Sequence, residues 1–195
     1  LAAFMRYMDR MSERESSLPS AALTSGEADA VRVMSIHRSK GLEFPFVFVA
    51  GLGGSFNNEY TRSKVLLHAE CGIGMIRRDP ETLVEHTTLP LMGVRQAVRR
   101  SSRTEELRVL YVALTRAKEK LILVTSVTKP DKRLSELSAS LGDGPTLPAH
   151  LILDASGMSD WILAAMLRHP SGGVLRQAAG WQDPPPCLEE AQRWR

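Results

Sequence analysis

Two short, wholly apolar runs constrain this chain more than any other feature: residues 44–52 (FPFVFVAGL) and 121–124 (LILV). Apolar runs of this length, the first closing on glycine, fit strands of a parallel sheet with both faces buried. A third segment, 31–36 (VRVMSI), alternates Val31, Val33 and Ser35 against Arg32, Met34 and Ile36, and its β-rich composition reads as a further strand. Residues 91–116 have helical periodicity, with Leu107, Leu110, Tyr111 and Leu114 at i, i+3, i+4 and i+7 forming an apolar stripe. Strand–loop–strand followed by helix–loop–strand predicts an α/β fold with a central parallel sheet. In such sheets ligands gather at loops beyond the carboxyl ends of strands. Residues 35–43 and 115–118 are the two loops of interest.

The remaining segments are weaker. Leu1, Phe4, Met5 and Met8 predict the tail of a helix over 1–15, followed by a Pro/Gly-punctuated connector to residue 30. Residues 64–78 predict a hairpin turning at Cys71-Gly72. Residues 129–148 read as loop. Ser159-Asp160 is expected to cap a helix running to His169 that packs Trp161, Ile162, Ala165 and Met166. The tail 170–195, with Pro184-Pro185-Pro186, reads as linker. The expected division is 1–30 as a helical piece and connector, 31–128 as the α/β domain, and 129–195 as a linker with one helix.

Composition excludes some classes. A hydrophobic content of 43% with 24% charged residues argues against wholesale disorder. A net charge of +3 permits a polyanionic partner without requiring one. Cys71 and Cys187 stand far apart and in no Cys-x-x-Cys pair, so neither a disulfide framework nor a metal site is expected. No apolar run approaches the length of about 18 residues needed to span a bilayer, and the start LAAFMRYMDRM is no secretory signal. The absence of an initiator methionine suggests a piece of something longer, in a reducing cytoplasm.

The chemistry concentrates in the two loops. Ser35, His37, Arg38, Ser39 and Lys40 place hydroxyl, imidazole and cationic groups in one loop, types suited to phosphate oxygens. Gly41 permits a tight backbone. Glu43 is a hydrogen-bond acceptor, suited to a sugar hydroxyl or backbone amides rather than a phosphate. A plain solvated loop, with His37 satisfied by a backbone carbonyl, is the competing reading. In the second segment, Thr115-Arg116-Ala117 ends the helix where it meets the LILV strand, a junction that can hold a guanidinium still. The fork and permanent charge of Arg116 suit a transferring γ-phosphate. Pairing with a carboxylate such as Glu119 is the competing role. Arg95, Arg99, Arg100 and Arg103 are compatible either with phosphate contacts or with a solvated helical face.

Taken together and in order, these segments resemble motifs V and VI of the UvrD/Rep/PcrA-type superfamily 1 DNA helicases. The first, T-x-H-x-x-K-G-L-E-F-P in its usual form, appears here as Ser35, His37, Lys40, Gly41, Leu42, Glu43, Phe44 and Pro45. The second, E-E-x-R-x-x-Y-V-A-x-T-R-A, appears as Glu105, Glu106, Arg108, Tyr111, Val112, Ala113, Thr115, Arg116 and Ala117. Ser35 in place of threonine is the one departure, and it keeps the hydroxyl. Residues 31–57, 64–75 and 159–163 are also similar to the AddA proteins, the helicase–nuclease components of bacterial recombination complexes.

The resemblance implies an incomplete second RecA-like motor domain. It implies Arg116 as the catalytic arginine finger, with Gly41, Glu43 and Arg116 at the nucleotide and Glu43 on its ribose. Ser35, His37 and Lys40 would contact DNA. Glu105, Glu106, Arg108 and Tyr111 would support the motif VI helix. ATP and Mg²⁺ are the implied cofactors of the full-length protein, with none expected on this chain alone. The implied partners are single- or double-stranded DNA, a first RecA-like domain in cis and an AddB-like subunit, with no membrane.

No G-x-x-x-x-G-K-[ST] loop occurs in the sequence, and no Asp-Glu pair closes an apolar strand. No carboxylate–carboxylate–lysine cluster follows residue 130. This chain by itself is therefore expected to be inactive. Alternatives are a helicase without a nuclease and a non-catalytic DNA-binding scaffold module.

Overall fold

A computed structural model describes residues 30–142, 144 and 146–181. The chain divides into two units, Leu1–Met34 and Ser35–Arg195. Of the first unit only residues 30–34 are described, so the expected helix over 1–15 and most of the connector lie outside the described residues, as does Cys187.

The apolar runs pair as expected. Strand β1 (Phe44–Val49) lies parallel to β6 (Ala117–Leu123), with Phe44 opposite Ala117 and Val49 opposite Leu123. The register shifts between Phe44 and Phe46, where two steps along β1 match three along β6. Pro45 sits at that step. It has no N–H to give to a ladder, which is why the pairing breaks there. Only one sheet face is buried: Val49 enters the core and Val47, Leu121 and Leu123 pack against it, whereas Phe46 and Phe48 are 59% and 69% exposed. The expectation of burial on both faces is thus corrected. Among the described residues the parallel sheet has two strands, and its core cluster lies on one side.

The expected strand over 31–36 is not formed. Residues 31–35 carry no strand geometry, and Val31 and Val33 are almost fully exposed. β propensity registers the fit of a side chain to a pleated, half-buried surface, and here that surface is missing.

Helix α1 (Leu89–Leu114) runs for 26 residues, about 39 Å at the α-helical rise. The hydroxyl of Thr88 accepts the Leu91 N–H, and Pro90 stands in the first turn, where its missing N–H costs nothing. The buried positions are Leu91, Val94, Arg103, Leu110 and Ala113. Of the expected stripe, Leu110 is buried and Leu107 half-buried, while Tyr111 and Leu114 face outward. The inward face is rotated because polar Arg103 and small Ala113, which an apolar tally passes over, occupy it.

Strands β2 (Val65–His68) and β3 (Gly72–Met75) form the expected antiparallel hairpin. Gly72, at φ +74°, already pairs with His68, so the turn falls one residue earlier than Cys71-Gly72. A Cβ on Gly74 would stand 2.6 Å from the Leu91 Cα, so glycine there lets β3 lie directly on α1. A second small ladder, β4 (Arg77–Arg78) with β5 (Glu85–His86), was not legible in the sequence. Its connection is held by the Asp79 carboxylate, which accepts from the Glu81 N–H at 2.9 Å.

Beyond β6 the expected loop and linker contain helices α2 (Pro130–Ala139), α3 (Ala149–Asp154), α4 (Met158–Arg168) and α5 (Gly173–Ala178). Leu134 and Leu137 are one turn apart and bury against Leu167, a short amphipathic signal introduced by Pro130 and Asp131. Helix α4 begins at Met158 behind Gly157, not at a Ser159-Asp160 cap. Trp161, Ala164 and Leu167 are buried and Ile162 half-buried, whereas Ala165 and Met166 face outward.

Asp160 is instead a buried joint. Its carboxylate receives the Arg133 guanidinium in a two-pronged grip at 3.0 and 2.5 Å. The Ser156 N–H and hydroxyl donate to it at 2.6 and 2.7 Å. Burial pushes the carboxyl up, but the bonds from Arg133 and Ser156 outweigh it and hold Asp160 below its ordinary value. A depressed folded pKa stabilises the fold fully above the ordinary carboxylate range, and that contribution is lost as pH falls through the lowered value. Asp160→Asn should therefore cost about 3 kcal/mol at neutral pH, as breaking a buried pair does. It should also flatten the acid limb of stability against pH, measured by chemical denaturation. An unchanged acid limb would show that this pair does not couple α2 to α4.

Candidate functional site

The end of α1 and the start of β6 are separated only by Thr115 and Arg116. Thr115 stops the helix, and its hydroxyl donates back to the Tyr111 carbonyl at 2.9 Å. That leaves Arg116 between a rigid helix and a rigid strand. Its Nε donates to the Val112 carbonyl at 2.9 Å and its Nη2 to the Thr115 hydroxyl at 2.9 Å. Its Nη1 donates to the Leu42 carbonyl at 2.9 Å, in the first loop, 74 positions away in sequence. A backbone bond in the other direction, Phe44 N–H to Arg116 carbonyl at 3.0 Å, closes the junction. Arg116 does not take the competing role of an ion pair with Glu119. Three of the five guanidinium N–H donors are engaged in these bonds, which leaves two for another acceptor.

The first loop is a tight 3₁₀ turn, His37–Ser39, with Ser39 buried and its hydroxyl donating to the Ile36 carbonyl at 2.7 Å. Gly41, at φ +82°, reverses the chain into β1. Ser35, His37, Arg38 and Lys40 are all exposed. Glu43 pairs with Lys118, Nζ to Oε2 3.2 Å, both side chains more than half exposed. The structure thus brings Gly41, Glu43, Arg116 and the cationic loop to one edge. Because β1 and β6 are parallel and both loops lead into them, that edge lies at the amino ends of the strands. The expectation of a site beyond carboxyl ends is corrected. It depended on 31–36 being a strand.

The other sequence candidates separate. Glu105 and Arg108 form an exposed pair within α1 at 3.3 Å, and Tyr111 is exposed, so none of the three braces the helix against a neighbouring loop. Glu106 is half-buried. Three of the four helix arginines do the bracing instead, being neither solvated nor turned to a ligand. Arg95 donates to the Ser63 carbonyl at 3.0 Å and Arg99 pairs with Asp154 at 2.8 Å. Arg103 is buried over the Phe56 ring at 4.2 Å and donates to Asn58 at 3.0 Å; burial lowers its pKa from the ordinary value. Phe56 in turn meets Trp161 at 4.9 Å. Only Arg100 stays exposed.

Lys118 and the Leu42 carbonyl were missed by sequence reading. Lys118 had a signal: it and Glu43 flank the paired positions Ala117 and Phe44 with opposite charges. A backbone acceptor has none. Among the described residues no group of three or more His, Cys, Asp or Glu could hold a metal ion. Nor is any of their helices long and apolar enough to cross a membrane.

Residues 8–128 match the model of the UvrD-like helicase C-terminal domain. The chain belongs to that family. This UvrD-like domain is also 38% identical, along its whole length, to the A component of the ATP-dependent helicase/nuclease of Bacillus mycoides (strain KBAB4). It is 42% identical over 95% of its length to the protein of that name from Desulforamulus reducens, and 41% over 92% to that of Moorella thermoacetica. The chain spans 16%, 15% and 13% of these relatives respectively. The mixed α/β fold with its short parallel sheet agrees with a motor-domain portion of this family.

Gly41 offers a clean test of the loop. A Cβ there meets nothing within 4 Å, so Gly41→Ala carries only the left-handed backbone penalty, about 1 kcal/mol. Thermal denaturation should show a modest loss. A loss above about 3 kcal/mol would mean that the loop is packed against a neighbour rather than open at this position.

Proposed function

We propose that this chain is the C-terminal motor portion of an ATP-dependent 3′–5′ DNA helicase/nuclease of the AddA type, acting in double-strand break repair and recombination in the bacterial cytoplasm. The observation that carries this reading is the contact of Arg116 with the Leu42 carbonyl, which ties motif VI to motif V. Arg116 then serves as an arginine finger. The two N–H donors beyond its three internal bonds are available to charge developing on a γ-phosphate. Glu43 takes the ribose hydroxyls, with Gly41 shaping the backbone beside it. Ser35, His37 and Lys40, exposed on the same loop, hold a single DNA strand through its phosphates.

The donor set fits the sugar and the outer phosphate of ATP but offers no carboxylate cluster for Mg²⁺ among the described residues. The ion and the inner phosphates then belong to a first RecA-like domain in the same polypeptide, across a cleft. Bound ATP supplies the phosphoryl group whose loss drives the cycle. On this chain, Arg116 senses that group, and the loop 35–43 converts its presence into grip on DNA. An AddB-like protein is the expected partner of the intact protein. Alone, this chain is inactive.

In the intact protein, Arg116→Ala should reduce DNA-stimulated ATP hydrolysis by about 10³-fold or more and leave single-stranded DNA affinity within about twofold. Arg116→Lys should not restore the rate, because a point charge cannot reproduce the planar fork. Hydrolysis that survives Arg116→Ala would overturn the assignment. So would ATP hydrolysis by the isolated 195-residue chain.

A further inference from the structure

Glu43 is an exposed side chain with three rotatable bonds, yet its carboxylate has one defined partner. Lys118 Nζ holds Oε2 at 3.2 Å, and no other ion pair or hydrogen bond reaches the Glu43 side chain among the described residues. Both partners stand on fixed backbone. Glu43 precedes Phe44, Lys118 follows Ala117, and those two neighbours are opposite each other in the β1–β6 register. The Phe44 N–H to Arg116 carbonyl bond locks the same step, and the Leu42 carbonyl beside it holds the Arg116 guanidinium.

We propose that Lys118 is the positioning residue for Glu43, holding one carboxylate oxygen so that the other faces a ribose hydroxyl of the nucleotide. This rests on the reading of Glu43 as the ribose contact. Two physical effects make a lysine useful there. An ionised carboxylate only accepts hydrogen bonds, so occupying Oε2 orients Oε1 without consuming it. A carboxylate close to a polyphosphate is also repelled by it, and the ammonium cancels that charge locally. Because the pair is exposed, its contribution is small and sensitive to salt.

The test uses the intact protein, single-stranded DNA, and two nucleotides, ATP and its 2′,3′-dideoxy analogue, with hydrolysis followed at low and high salt. Lys118→Met should raise KM for ATP about two- to fivefold, the range an exposed ion pair supports. It should leave kcat and the KM for the dideoxy analogue unmoved, so that discrimination between the two nucleotides falls. Added salt should erode the same discrimination in the unsubstituted protein, and Lys118→Arg should restore it. A lysine that merely stabilised the loop would shift both nucleotides together, and that result overturns the proposal. If Glu43→Ala abolishes discrimination while Lys118→Met does not, the Lys118 role fails and the ribose reading stands. If Glu43→Ala leaves discrimination intact, the ribose reading fails and the Lys118 role fails with it.

Discussion

The guanidinium of Arg116 spans the break between a helix and a strand and ends on a backbone carbonyl 74 residues earlier in the chain. That single side chain joins the end of α1, the start of β6 and the loop that enters β1. Its bonds go to backbone carbonyls and a hydroxyl rather than to a carboxylate, so its positive charge stays uncompensated at the site edge. A salt-bridged arginine would be neutralised before any anion arrived. Main-chain acceptors hold the group in place while leaving its charge available.

Around this joint the molecule is arranged to keep α1 still. Arg95, Arg99 and Arg103 succeed one another along the helix at four-residue spacing, and each fixes it to a different neighbour. Arg103, Phe56 and Trp161 stack in series, linking α1 to the loop after β1 and to α4. The Ser156 carbonyl accepts the Phe56 N–H at 2.8 Å, and Asp160 secures Ser156 from the other side. The helices beyond β6 are therefore part of the frame that sets Arg116, although composition reads them as loop and linker. A buried arginine as a structural strut is hard to infer from sequence, because basic residues on a helix are more often solvated or ligand-facing.

The two motif segments were legible because their residues are local: a polar loop leading into an apolar strand, and a helix ending in Thr-Arg-Ala. The pairing of 44–49 with 117–123 was also legible, since two apolar runs too short for helices have few other places to go. The strand expected at 31–36 failed for the complementary reason. Alternation records only what a segment could do beside a partner, and no partner is described for it. The stripe on α1 failed at Tyr111 and Leu114 because the face a helix buries is chosen by what it packs against, here through Arg103 and Ala113.

Sequence by itself determined the fold class, the family and the identity of the reactive groups, since these depend on residue types at fixed short spacings. Tertiary structure decided which groups meet: Arg116 with the Leu42 carbonyl, Glu43 with Lys118, Asp160 with Arg133. It also placed the site at the amino ends of the strands, which follows from chain direction in the β1–β6 pair. Partnerships between groups tens of residues apart are set by strand register and helix rotation, and neither leaves a mark on local composition.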